Sequence, residues 1–372
     1  MSSLNKAVTR RQALRAGSLG AIGVYLSGCG SSGSASGGGG GGGGGGTLNW
    51  LTWSDHYVKG QLDAVKQQTQ VQARPNLFSD NADGYLKIRQ GGGQFDIVSG
   101  DALWVPKYAK DKLIEPFDLA DVASSPELYP MAREFDFFKS GSSYLGYPFA
   151  WSTIQIYYNP KNVPTAPDSW HSLLDPKYRG KVIAENQPTD LMAMAGLATG
   201  AKEPYSMTPD EISRAKDFLK QLKPNILKLA SQNSEVVRAL ADGTAWLAIE
   251  NLGTDYRVKD AGGPEVRAAY PKEGTYGFID SEMLVASSGN KDAVLKFLGA
   301  AERAKWIAQN FITNGRPLWN EKAYKLLVDQ GHKERADRLL YNQPEKAQSM
   351  TLKGPSGDEQ AYSDAFNEVF GA

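Results

Sequence analysis

The chain is poor in cysteine and histidine and has no excess of either charge. One cysteine in 372 residues excludes an internal disulfide and a cysteine-ligated zinc cluster. The three histidines, His56, His171 and His332, are scattered without metal-ligand spacing, so no metal site is expected. Basic and acidic residues both number 41, a formal net charge of zero. That argues against a nucleic-acid partner, which would need phosphate-neutralising charge. No GxSxG is present, and no histidine sits in a recognisable triad context, so a hydrolase has no activated nucleophile. Carboxylates are plentiful, but no pair is marked as catalytic. The glycines Gly91–Gly93 precede a strand rather than leading from strand into helix, which reads as a turn and not a phosphate loop. No cofactor is expected.

What the chain does have begins at its N-terminus. Met1 to Arg15 carries Lys6, Arg10, Arg11 and Arg15 and no acid. Ala16 to Gly28 is apolar or small, shorter than the roughly 20 residues of a membrane span. This pattern reads as an export signal over 1–28. The segment "TRRQALR" (Thr9–Arg15) resembles a twin-arginine export motif, with Ala13 where that motif prefers phenylalanine. "LSGC" (Leu26–Cys29) resembles a bacterial lipobox, which implies lipidation at Cys29. Acyl chains anchor at about 0.8 kcal/mol per buried methylene. The Gly/Ser-rich stretch that follows, 29–46, ends in ten consecutive glycines. It has almost no side chain to bury and reads as a flexible tether.

From Thr47 the composition is globular. Short strands are expected at "TLNWLTW", "FDIVSG", "YLGYPFAWSTIQIYYNP", "KVIAEN" and "TAWLAIEN". Helices are expected at "VKGQLDAVKQQT", "ALWVPKYAKDKL", "DLMAMAGLA", "SEVVRALADG" and "KDAVLKFLGAAERAKWIAQNF". Asp101 is placed to cap the second of these. "PDEISRAKDFLKQLKPNI" is amphipathic, with Ile212, Ala215, Phe218, Leu219 and Leu222 on one face. The alternation predicts an α/β fold with mainly parallel sheets.

A series of blocks carries a resemblance. They are "LTWSDHY" (Leu51–Tyr57), "FDIVSGDALWV" (Phe95–Val105), "YPFAWSTIQIYYN" (Tyr147–Asn159), "SWHSLLDPKYRGKV" (Ser169–Val182), "YPKEGTYGFIDS" (Tyr270–Ser281) and "NGRPLWN" (Asn314–Asn320). In this order they resemble the spermidine/putrescine-binding family of ABC-transporter substrate-binding proteins. The resemblance implies a two-lobed periplasmic-binding-protein fold of type II-like form, with ligand in a cleft between lobes. Lobe 1 would take 47–154 and 280–328, and lobe 2 would take 155–279 and 329–372. It also implies an ABC permease in the cytoplasmic membrane as partner, hinge closure about the ligand, and a monomer.

A polyamine needs carboxylates at its ammonium ends and apolar or aromatic walls along its methylenes. By resemblance, Trp53 matches a pocket aromatic, Ser54 and Asp55 the hydroxyl and acid that follow, and His56 or Tyr57 the next aromatic. Asp101 stands where the family often has a serine. Gln187 and Asp190 stand where it has two acids. Phe278 and Asp280 match an aromatic–x–Asp pair whose aspartate holds an amine. Trp151 is a further candidate aromatic. Each also has a plain reading: Trp53, Trp151 and Phe278 as core aromatics, Asp101 as a helix cap, Asp190 as a carboxylate on a helix dipole, and Asp280 as a structural acid.

Two positions depart from the family pattern. Glu250 replaces a tryptophan and Arg316 a tyrosine. An arginine facing the pocket would repel a diamine and hold a carboxylate bidentately. The expected ligand is therefore a polyamine or, using Arg316, a zwitterionic or carboxylated amine such as an opine, amino-acid derivative or betaine. Otherwise Arg316 pairs with Glu250 or Asp280 and only shapes the wall. Ferric iron is a rival through the adjacent tyrosines Tyr157 and Tyr158, although consecutive strand residues point to opposite faces.

Overall fold

Residues 46–371 apart from Ser349 are described by the structure, a computed structural model. The export signal, Cys29 and all of the tether but Gly46 lie outside the described residues. In chain order the strands are β1 (Thr47–Thr52), β2 (Gln72–Leu77), β3 (Ile97–Asp101), β4 (Lys139–Ser140), β5 (Ser143–Tyr144), β6 (Tyr147–Tyr158), β7 (Val182–Glu185), β8 (Ile226–Ala230), β9 (Leu247–Asn251), β10 (Arg267–Ala269), β11 (Tyr276–Leu284) and β12 (Thr351–Leu352). β4 and β5 form a small separate hairpin.

The main sheet runs β2-β1-β3-β11-β6-β9-β7-β8. Its two wings are parallel: β1 pairs with β2 and β3, and β7 pairs with β8 and β9. Its centre is antiparallel. β11 pairs against β3 and β6, and β6 pairs against β9. The expected mainly parallel sheet therefore holds in the wings and fails between them. Burial pattern explains the miss. All twelve residues of β6 and all nine of β11 are buried, polar ones such as Gln155, Asp280 and Glu282 included, so neither strand shows the one-face alternation that marks an antiparallel strand. β10 adds to β6, and β12 adds in parallel to β11.

Helices fill both faces for local reasons. Helix Pro209–Leu222 opens with a capping box of Thr208 and Glu211 and a proline in its first turn, and it buries Ala215, Phe218, Leu219 and Leu222. Helix Gln61–Thr69 starts after Gly60, whose φ of 80° suits glycine, so Val58–Gly60 lie outside it. The long helix expected from Lys291 is two helices, Lys291–Ala301 and Ala304–Asn314. Glu127 breaks it by accepting the Ala304 N–H at 2.8 Å and Arg303 Nη1 at 2.9 Å. A buried carboxylate thus supplies the partners that a continued helix would have supplied.

Separate cores flank the wings. Trp50, Val65, Ile97, Met283 and Phe297 belong to one, and Ile156, Trp170, Met192, Phe218 and Tyr362 to another. Burying a tryptophan such as Trp50 or Trp170 removes about 150–250 Å² from water, worth about 4–6 kcal/mol before entropy is counted. Tyr157 and Tyr158 fall in different cores, with Tyr157 packing beside Ile183 and Val236. Late in the chain, Ala336, Leu339 and Tyr341 pack with Phe149, Phe311 and Leu327. Ala347 and Met350 join the first core, and Tyr362, Ala365, Phe366 and Val369 join the second.

Candidate functional site

The C-terminal ends of the parallel strands β1, β3 and β7 open onto one cleft, where open α/β sheets commonly bind ligands. It encloses about 370 Å³. Trp53, Ser54, Asp55, Asp101, Gln187, Phe278, Asp280 and Arg316, all expected from the sequence, line it. Phe78, Asp80, Glu185, Arg257 and Lys353 line it too. A larger hollow of about 490 Å³, bounded by Tyr256, Arg335 and Arg338, contains none of the expected residues.

Four expected residues lie elsewhere. Trp151 is 1% exposed and packs against Trp319 at 6.1 Å between ring centroids. Tyr57 packs on Trp50 at 5.9 Å. Asp190 sits under the floor beside Lys353, and Glu250 lines a deeper recess with Glu185, Tyr276 and Lys353. Asp101 precedes a 3-10 turn, Ala102–Trp104, but its side chain does not cap it. That carboxyl faces Asp280 instead.

Each cleft acid has its own environment. Asp55 is held by Arg316, whose Nη1 lies 2.5 Å from Oδ2. Burial would raise the Asp55 carboxyl, but the Arg316 and His56 charges hold it below its ordinary value. Arg316 therefore pairs with neither Glu250 nor Asp280. Asn310 and Asn314, on the preceding helix, both donate to the Asp55 carbonyl, at 2.9 and 3.0 Å. Together these three side chains fix the turn that presents Trp53 and Ser54.

Asp280 faces His56, with Nε2 3.3 Å from Oδ2. His56 Nδ1 meets Glu282 Oε1 at 2.7 Å. Glu282 is itself held by Trp50 Nε1 and Ser99 Oγ, both at 2.8 Å. Burial alone would lower the His56 pKa, but hydrogen bonds to Asp280 and Glu282 and their charges raise it to about 9. His56 is a buried imidazolium at neutral pH, and it stacks near Phe149 and Trp53 at 4.4 and 5.2 Å. The sequence left His56 and Tyr57 as alternatives for one position, and it is His56 that touches Asp280.

Asp101 and Asp280 are direct cross-strand partners on β3 and β11. Like charges so placed repel. Burial pushes the Asp101 carboxyl well above the usual range; the Lys353 charge opposes this and Asp280 adds to it. Across the cleft a second carboxyl pair stands at the ends of β7 and β9. Burial and then the Glu185 charge raise the Glu250 pKa to about 8. Burial also raises Glu185, against the charges of Lys353 and Arg257. Glu250 Oε2 is buried with no hydrogen-bond partner. Burial thus raises Asp101 on one side and Glu185 and Glu250 on the other, and a nearby cation would favour their charged forms.

Lys353 was not foreseen. It lies in "TLKGPS" after β12, a stretch without periodicity, and only the pairing of β12 with β11 brings it to the cleft. Its Nζ lies 2.5 Å from Asp190 Oδ2. Glu185 and Arg257 were likewise missed. Arg257 donates to Asn251 Oδ1 at 2.5 Å and to the Asn314 carbonyl at 2.8 Å, so it braces the wall.

The chain is similar to known proteins over most of its length. A family model described as bacterial extracellular solute-binding protein matches residues 71–317. The Spermidine/putrescine-binding periplasmic protein of Escherichia coli K12 is 27% identical over 288 residues, covering 76% of this chain and 80% of that protein. The spermidine/putrescine ABC transporter substrate-binding protein PotD of Streptococcus pneumoniae superposes with a TM-score of 0.68 at 20% identity, over 87% of this chain and 97% of that one. The binding protein MotA of A. tumefaciens B6, solved with glucopine, has a TM-score of 0.64 at 17% identity, over 87% and 99%. These likenesses establish the periplasmic-binding-protein fold.

Proposed function

The chain belongs to the bacterial extracellular solute-binding protein family, and we propose that it captures a small aliphatic amine of the polyamine class and delivers it to an ABC permease. Its family is one of transport binding proteins and not of enzymes. One observation carries the amine reading: acids stand on two sides of the ligand space, the cross-strand pair Asp101–Asp280 on one and Glu185, with Glu250 in the recess behind it, on the other. A diamine has an ammonium for each. Trp53, Phe78 and Phe278 line the space between with aromatic surface, suited to methylenes and to cation–π contact.

A second reading is a zwitterionic amine, supported by Arg316 and Arg257 in the cleft wall and by the glucopine held by a protein of the same fold. The two part on a thermal-shift series with putrescine, spermidine, an opine, a betaine and arginine. A ligand at 100 times its Kd stabilises by about 2.7 kcal/mol. Shifts by the diamine and triamine, without the opine, support the first reading. Shifts by the opine alone overturn it.

We propose further that Cys29 carries a lipid anchor and that the glycine stretch tethers the body to it. The support is the Leu26–Cys29 motif and the composition of residues 29–46. No helix among the described residues is long and apolar enough to cross a membrane. Labelled fatty acid incorporated by the wild type and lost in Cys29→Ser tests this. For the lobes, the core packing supports a return to the second lobe after Met350 rather than at Asp329.

A further inference from the structure

Lys353 puts an ammonium where a ligand would put one. Its backbone is held along β11: β12 pairs Thr351 with Tyr276 and Leu352 with Gly277, and the Lys353 N–H donates to the Gly277 carbonyl at 2.7 Å. Gly277 admits this close packing because it lacks a side chain; a Cβ there would stand 2.5 Å from the sulfur of Met350, one residue before β12. The anchored backbone aims the side chain inward, leaving it 17% exposed. Nζ meets Asp190 Oδ2 at 2.5 Å and lies 5.7 Å from the Phe278 ring centroid. The other Asp190 oxygen accepts Tyr205 OH at 2.8 Å. Carboxylate, aromatic ring and a second acid nearby, Asp101, are the groups that recognise a primary ammonium in a partly dry site.

We propose that Lys353 is a specificity residue: a resident ammonium that fills the Asp190–Phe278 subsite, so that the cleft accepts a diamine and disfavours a triamine. The inference rests on the amine reading above and deepens it. A third ligand ammonium has no free carboxylate on this side and meets a like charge instead. Removing the lysine ammonium reopens the subsite and leaves the Asp190 carboxylate without its cation, a vacancy that a longer polyamine then fills.

Calorimetric titration of the protein with putrescine and spermidine, repeated on Lys353→Met and Lys353→Arg, tests it. The wild type binds the diamine more tightly than the triamine. Lys353→Met shifts the triamine-to-diamine affinity ratio at least tenfold toward the triamine, and spermidine restores its thermal midpoint. Lys353→Arg keeps the wild-type order. A triamine preference in the wild type itself overturns the proposal whether or not the variants fold. So does an unchanged ratio in Lys353→Met while both amines still bind; the amine reading then survives. If neither protein binds any amine but both bind an opine, the amine reading falls and the proposal with it.

Discussion

Arg316 grips Asp55 at two points, Nη1 to the carboxylate at 2.5 Å and Nη2 to the main-chain carbonyl at 3.3 Å. Because Arg316 is buried while the Asp55 side chain is 40% exposed, the arginine anchors the wall and the aspartate faces the cleft. Arg316→Ala is expected to cost about 1–3 kcal/mol, below the figure for a wholly buried pair because Asp55 stays wet. It also frees a carboxylate. Amine affinity should rise, and titration calorimetry would show it. A loss of affinity for a carboxylated ligand would instead make Arg316 the ligand's partner.

Stability should fall on the alkaline side because of His56. Its folded pKa, about 9, lies above the unfolded value of about 6.5. The stabilisation is therefore complete below pH ~6.5 and lost as pH rises through ~9, on the order of 3 kcal/mol. Thermal midpoints measured from pH 6 to 10 should fall in the wild type and fall less in His56→Gln. Parallel curves would mean that His56 carries no charge.

Amine binding should release protons. Glu250 titrates at about 8 in the free protein, so at pH 7 it is mostly neutral, and an arriving ammonium favours its charged form. Affinity then rises with pH between 6 and 8. Calorimetry in two buffers of different ionisation enthalpy counts the protons directly. Equal heats in both buffers would leave the carboxyl pairs uninvolved.

Trp151 and Asp280 should separate folding from binding. Trp151→Ala removes a buried ring and is expected to cost about 3–5 kcal/mol with ligand affinity unchanged at temperatures where the variant is folded. Asp280→Asn keeps the volume and is expected to lower amine affinity at least tenfold. A binding defect in folded Trp151→Ala would place that ring at the ligand.

Local patterns were legible where one residue type decides the outcome. The apolar stripe on the helix Pro209–Leu222 is visible in the chain, and so is the strand at "FDIVSG". The cleft residues that were foreseen followed from the family resemblance rather than from periodicity. What escaped depends on long-range pairing. The break at Glu302 needs Glu127 from far upstream. The antiparallel centre needs β6 and β11 to meet. The choice of His56 over Tyr57 turns on which side chain reaches Asp280 and Glu282, which a run of adjacent aromatics does not reveal.

β12 gives the sheet only two residues, beyond Pro317, where the family match ends. Yet it carries the ammonium that opposes the charge of Asp101 and Glu185. This ammonium therefore reaches the cleft from a stretch of chain separate from the strands that bring Asp101, Glu185 and Asp280 to it. Exchanging Lys353 alone would change the charge of the cleft while both wings, their cores and the turn held by Arg316 stay as they are.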